Sequence, residues 1–144
     1  MMTTQQKILG FKKPEYQFLS NMARVWVDYE EHSYFSVEHA YQAAKSTNPR
    51  DRKLMFRVAS PYDAKRIAKS FVVRQDWHQI KLQVMEDLLR QKFNTEPFKF
   101  KLKATGNAYI EETNTWGDTY WGVCNGKGDN HLGKLIMKIR SEMI

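Results

Sequence analysis

Tyr109-Ile-Glu-Glu-Thr-Asn-Thr-Trp-Gly-Asp-Thr-Tyr-Trp-Gly-Val-Cys-Asn-Gly-Lys-Gly-Asp-Asn130, continuing into His131-Leu-Gly-Lys-Leu-Ile-Met-Lys-Ile-Arg140, is the stretch on which the reading of this chain turns. Tyr109-Ile110 reads as an apolar strand that runs into two acids. Two Trp-Gly pairs flank Asp118, a glycine-rich turn follows, and an amphipathic helix closes the chain. The order is strand, pocket loop, supporting helix.

Several residues of this stretch can carry chemistry. Successive strand side chains point to opposite faces, so only one of Glu111 and Glu112 should look inward. Asp118 and Trp121 stand three apart, and a carboxylate beside an indole meets less water, which raises its pKa and suits it to carry a proton. Glycines at 122, 126 and 128 let backbone approach a ligand closely, and Asn130 reads as the cap of a helix whose first amides can hold an anion. The glycine spacing matches neither a dinucleotide fingerprint nor a P-loop, and a plain turn between strand and helix accounts for it equally well. His131 reads as a first-turn helix residue, and none of the four histidines makes a zinc pattern, so no metal or cofactor is expected.

Upstream, Ile8-Leu-Gly-Phe11 reads as a short strand and Arg24-Val-Trp-Val-Asp-Tyr29 alternates as a half-buried one does. The segment between them, with its proline and its Ser-Asn end, reads as a loop. Glu30-Glu-His32 turns into a second strand, Ser33-Tyr-Phe35, making a small antiparallel unit. Ser36 is an N-cap, with Glu38 in the first turn where the helix dipole favours an anion. Along Val37 to Lys45 the polar Glu38, Gln42 and Lys45 share one face and Val37, Ala40, Tyr41 and Ala44 the other. That stripe is either solvated surface or the lining of a polar pocket.

Asn48-Pro49 opens a helix running through Leu54, Met55 and Val58. Ser60-Pro-Tyr-Asp63 reads as a capping box opening Ala64 to Ser70. Asp76-Trp-His-Gln-Ile80 begins the longest helix, with Trp77, Ile80, Val84, Leu88 and Phe93 as its core face. Thr95-Glu-Pro97 opens one more, which ends at Thr105-Gly106. No internal repeat or linker interrupts the chain, so residues 1–144 read as one domain, mostly helices around a small, largely antiparallel sheet.

Composition sets the outer bounds. A chain of 144 residues is long enough to bury about two-thirds of its unfolded surface without a disulfide staple. The single cysteine, Cys124, cannot pair within the chain and suits a reducing cytosolic compartment. No stretch is long and apolar enough to span a bilayer, and Met-Met-Thr-Thr-Gln-Gln-Lys7 lacks a signal-peptide core, so a soluble cytoplasmic protein with no membrane partner is expected. A net charge of +7 favours polyanions, although the bases are spread along the chain rather than gathered in a tail. Aromatic residues make up 13% of the chain, and four tryptophans must line a core or a ligand slot.

Four colinear blocks bring a family into view: Phe18-Leu-Ser-Asn21, Ser36-Val-Glu-His-Ala-Tyr-Gln-Ala-Ala-Lys45, Leu89-Arg-Gln-Lys-Phe93, and Glu111 through Arg140 with Asp118-Thr-Tyr-Trp-Gly122 and Gly126-Lys-Gly-Asp-Asn-His-Leu-Gly133. Through them the sequence resembles the NADAR family, also called YbiA-like, over nearly its full length. It departs at Met22, where an aromatic usually follows Asn21, and in the extra Trp116-Gly117. The resemblance implies an α+β domain with N-glycosidase activity. Members cleave N-glycosidic bonds, some in ribosylaminouracil intermediates of early riboflavin synthesis and others between ADP-ribose and modified guanine bases. On that basis Glu38, Glu111, Asp118, Trp121 and Asn130 match pocket positions, with Gly122, Asn21 and Lys45 beside them. Lys12 stands where members carry a basic residue, suited to holding phosphate or to attacking an opened ribose.

The resemblance therefore implies a phosphorylated ribosyl or ADP-ribosyl substrate, including ADP-ribosylated nucleic acid at the larger end. Breaking a ribose C1–N bond builds positive charge on the sugar, which a carboxylate stabilises while activating water. Glu111 or Asp118 is expected to activate the water, and Glu38 to be the second acid. The rival is a module that binds ADP-ribose or nucleic acid without cleaving it, a role in which carboxylates facing a phosphate are a liability.

Overall fold

The computed structural model describes residues 5–144. Residues 1–4, the start of the stretch read as lacking a signal-peptide core, lie outside the described residues. In chain order the strands are β1 (Lys7–Leu9), β2 (Arg24–Tyr29), β3 (His32–Ser36), β4 (Tyr109–Glu111), β5 (Thr113–Asn114) and β6 (Val123–Cys124). The α-helices are α1 (Val37–Ala44), α2 (Pro49–Arg57), α3 (Pro61–Ile67), α4 (Trp77–Phe93), α5 (Phe98–Ala104) and α6 (His131–Ser141). The architecture is α+β. The described residues group into two compact units, residues 21–92 and a discontinuous one of residues 5–20 with 93–144.

The contiguous unit holds the β2–β3 hairpin and the run of helices from α1 into α4. Val25 and Val27 point inward while Arg24, Trp26 and Asp28 face out, the alternation legible in the sequence. Glu30, at the tip, takes a left-handed φ of 52°. Between the pairs Arg24↔Ser36 and Val27↔Tyr34 the register shifts, so Val25 and Trp26 together oppose Phe35 in a β-bulge. Asn48 caps α2 by accepting the Arg50 amide, with Pro49 at the first helical position. Ser60 caps α3 in the same way through Tyr62. The reciprocal arm of a capping box is replaced by an ion pair, because Asp63 turns to Arg66 at 3.4 Å. Helix α4 buries Trp77, Val84, Met85, Leu88 and Leu89.

The discontinuous unit is built on β4 and α6. Leu132, Leu135, Ile136 and Ile139 follow helical spacing and are buried, each contributing about 1.5–3 kcal/mol. β4 carries the buried Ile110, which lies in register with Ile8 of β1. The segment after β1, expected to be a loop, forms a 3₁₀ turn over Pro14–Leu19 that buries Phe18 and Leu19.

The pairing of strands corrects one expectation. Among the strand pairs of the described residues, β2–β3 is antiparallel, whereas β1–β4 and β5–β6 are parallel, each pair forming its own two-stranded sheet. Antiparallel neighbours need only a short turn, which local sequence shows, whereas a parallel pair needs a long crossover that leaves no local mark.

Candidate functional site

In the contiguous unit the chemistry gathers on α1. Ser36 accepts the His39 amide at 3.0 Å, and the Ser36 hydroxyl lies 2.7 Å from His39 Nδ1. The other ring nitrogen, Nε2, is 2.7 Å from the Val58 carbonyl. A carbonyl can only accept, so Nε2 carries the proton and Nδ1 accepts from Ser36. Burial holds the His39 pKa below its ordinary value, which keeps the ring neutral. A ring tied at both nitrogens fixes where α1 starts.

All eight residues of α1 are buried, so its polar stripe is not a solvated face. Glu38 is 7% exposed and Gln42 is 4% exposed. Gln42 Nε2 donates to Glu38 Oε1 at 2.8 Å, one helical turn away, and the Glu38 amide donates to the Asn21 carbonyl at 3.1 Å. Asn21 presents its Nδ2 to Met85 Sδ at 3.6 Å, and its Oδ1 is buried without a hydrogen-bond partner among the described residues. Lys45 lies with its ammonium 5.3 Å from the centre of the Tyr41 ring, and Tyr41 rests on Trp77 at 5.1 Å. The Lys45 pKa is lowered, first by burial and further by Lys65 and Lys81, against the opposing pull of Glu38. Beyond the main chain of Lys45, whose carbonyl accepts the Arg74 amide at 2.8 Å, a polar depression of about 570 Å³ is lined by Ser46, Asn48, Asp51, Arg74 and Asp76 among others.

These contacts join Asn21 to Glu38 through the main chain, leave Lys45 linked to Glu38 by electrostatics alone, and add three residues that the sequence did not assign to a site. Gln42 holds the acid, while Tyr41 and Trp77 support the lysine. Gln42 carried a signal in standing one turn after Glu38. Tyr41 and Trp77 carried none, since an aromatic at core spacing looks the same whether or not a cation lies over it.

In the discontinuous unit the remaining expected residues hold the loop in shape. Asp118 Oδ1 accepts the amides of Tyr120 and Trp121 at 3.1 and 2.9 Å, and Asn114 clamps the Asp118 main chain from both sides. Glu111 accepts the hydroxyls of Tyr109 at 3.0 Å and Thr113 at 2.5 Å. Trp121 meets Tyr120 edge-on at 4.8 Å, and Tyr120 in turn lies 4.4 Å from His131. Lys12 is exposed ahead of the 3₁₀ turn, its carbonyl accepting from Gln17.

Two expectations about this loop are overturned. The first amides of α6 do not offer an anion site: Asp129, Asn130, His131 and Leu132 donate to the carbonyls of Thr119, Gly122, Tyr120 and Trp121. Asn130 stands at the N-cap position, but in left-handed conformation (φ 53°, ψ 41°) and without a side-chain cap. Its amide instead accepts the Glu112 N–H through Oδ1 and donates to the Ile110 carbonyl through Nδ2, both at 3.0 Å. The close approach at Gly122 is likewise to the chain itself, since a Cβ there would lie 2.1 Å from the Glu112 carbonyl oxygen, and one at Gly128 would strike the Gly122 carbonyl. Gly126 has open space and a φ of +77°.

Comparison with known proteins places these features in context. A family model described as the NADAR domain matches residues 10–144. The N-glycosidase YbiA of Shigella flexneri serotype 5b is 34% identical over 96% of this chain and 90% of its own. A riboflavin biosynthesis protein of Vibrio vulnificus is 33% identical over 75% of this chain and 30% of its own. The solution structure of Escherichia coli YbiA superposes with a TM-score of 0.83 at 34% identity, over 97% of this chain and 86% of that one.

Proposed function

Because the chain belongs to the NADAR domain family and is with it an enzyme acting on N-glycosyl bonds, we propose that it hydrolyses the ribose C1–N bond of a phosphorylated ribosyl-base compound. The observation that carries the reading is Glu38, a buried carboxylate held in one rotamer by Gln42 with a lysine alongside. A buried carboxylate is a poor surface feature and a good partner for developing positive charge, because the low local dielectric strengthens its attraction and no solvent need reorganise.

In the proposed reaction the C1–N bond breaks with its electron pair leaving on the base nitrogen, and the sugar takes up positive charge opposite Glu38. A water oxygen bonds to C1 as one of its protons passes to a carboxylate, and the carboxylate is restored when that proton ends on the departing nitrogen. Lys45 holds a phosphate or a sugar oxygen. Asn21 orients the sugar through its side-chain amide. Glu111 and Asp118 are the alternative water-activating acids, and Lys12 and Trp121 remain proposed substrate contacts.

Two substrates fit this class. The relative named for riboflavin biosynthesis favours a phosphorylated ribosylaminouracil. The net charge of +7 favours ADP-ribose on a guanine base, which carries more phosphate. The free Cys124 suits the reducing compartment expected from the sequence. The test is to incubate the purified protein with each compound and follow release of free base by chromatography. Turnover of either supports the reading; folded protein that releases base from neither overturns it.

A further inference from the structure

The outward face of the β2–β3 hairpin carries an aromatic surface that the Glu38 chemistry does not use. Trp26 is 59% exposed, an unusual state for a residue that gains so much from burial. Its ring centroid lies 4.6 Å from that of Phe35 on the neighbouring strand, tilted by 43°. The Arg24 guanidinium sits over the Phe35 ring, 5.4 Å from its centroid. The β-bulge explains the arrangement: with Val25 and Trp26 both opposite Phe35, the local twist turns the indole across the partner strand, a device found next to sites that bind.

The face also has a polarity. Arg24 makes no ion pair among the described residues, whereas Asp28, at the far end of the same strand face, accepts the Ser33 hydroxyl at 2.5 Å. One end therefore attracts a phosphate and the other repels it, with two flat rings between. That is the recognition chemistry of single-stranded nucleic acid, in which bases stack on aromatic side chains and cations track the backbone. An apolar protein partner would gain nothing from the unpaired guanidinium. The net charge of +7 adds attraction for a polyanion.

We propose that Arg24, Trp26 and Phe35 form a stacking platform for an unpaired nucleobase of a single-stranded polynucleotide, with Arg24 on the adjoining phosphate. Only Ser36 and Val37 separate Phe35 from Glu38 along the chain. Three residue steps reach at most about 11 Å. A strand whose target sugar faced Glu38 would thus have a neighbouring base within reach of Trp26. This last step rests on the proposed hydrolysis at Glu38, while the binding itself does not.

The test uses the full chain and a short fluorescein-labelled oligothymidylate, with vesicles of anionic phospholipid and sedimentation as controls. The wild type should bind the oligonucleotide at low salt with quenching of tryptophan emission. Trp26→Ala should weaken binding roughly tenfold or more, the scale of one lost base stack. Trp26→Phe should keep most of the affinity while losing the quench. Arg24→Gln should lower the salt slope by about one. For an oligonucleotide carrying the scissile base, the ratio of its kcat/KM to that of the free nucleoside should fall by a similar factor in Trp26→Ala. Equal affinity of wild type and Trp26→Ala overturns the proposal. So does binding to the vesicles but not to the oligonucleotide, or a dimer that Trp26→Ala dissociates. Failure of the glycosidase reading would appear separately, as an oligonucleotide that binds through Trp26 and is not cleaved.

Discussion

Replacing Asn130 separates a structural from a ligand-contacting role more sharply than any other single change. The side chain is 3% exposed and its two ends satisfy the Glu112 N–H and the Ile110 carbonyl. Asn130→Ala leaves both without these partners, at about 1–3 kcal/mol each. It also forces alanine into the left-handed region at φ 53°, which costs about 1 kcal/mol more. The sum, about 3–7 kcal/mol, is a large part of the whole stability of an ordinary domain. Asn130→Gly relieves the backbone strain but not the lost bonds, so it should be about 1 kcal/mol less damaging than alanine. Asn130→Asp keeps an acceptor for Glu112 and sets an oxygen against the Ile110 carbonyl, so it should fall close to alanine. Urea denaturation of the four proteins, followed by circular dichroism, measures the series. Stability of Asn130→Ala within about 1 kcal/mol of wild type, or glycine no better than alanine, would refute this account.

Three further outcomes follow from the same geometry. Glu38→Gln keeps a partner for Gln42, so the thermal midpoint should hold while kcat for base release drops by about 100-fold or more; retention of more than about a tenth of the activity would remove Glu38 from the chemistry. Helical Gly→Ala changes usually stabilise by about 1 kcal/mol, but a Cβ on Gly133 would lie 2.2 Å from the Ile110 carbonyl, so Gly133→Ala should destabilise in urea, and a gain in stability would contradict the packing. Lys92 is wholly buried and its pKa is pulled down to about 7, so the unfolded chain binds the extra proton above that pH and stability should climb as pH rises from about 7 towards 10. Lys92→Met should lose that slope and show its largest gain over wild type near pH 7; parallel stability curves for the two proteins would count against the burial argument.

Which parts of this molecule could be read from its sequence depends on how local their causes are. β2 announces itself by alternation, and α2 by Asn48-Pro49, because each is decided within a few residues. The position of α1 was equally plain, yet its burial was not: Glu38, Gln42 and Lys45 have the spacing of a solvated stripe, and only the elements packed around α1 decide that water is excluded. Gly122 and Asn130 show the same limit. Their residue types mark tight backbone and a polar cap, but whether the neighbour is a ligand or the chain's own carbonyl depends on how Thr119 to Gly122 folds over the start of α6. The parallel pairing of β1 with β4 is the extreme case, since Gln5 and Asn107, bonded at its edge, lie 102 residues apart.

That separation also bears on the order in which the protein can be made. Residues 21–92 are contiguous and can close on themselves as soon as they leave the ribosome. β1 is synthesised first and finds its partner strand late; at 5–20 residues per second its edge waits roughly 5–20 s for Tyr109–Glu111 to emerge. During that interval Ile8 has no β4 to lie against. A nascent chain halted before β4 should therefore display a protected hairpin and helices behind an open leading strand, a window in which a chaperone would meet this molecule.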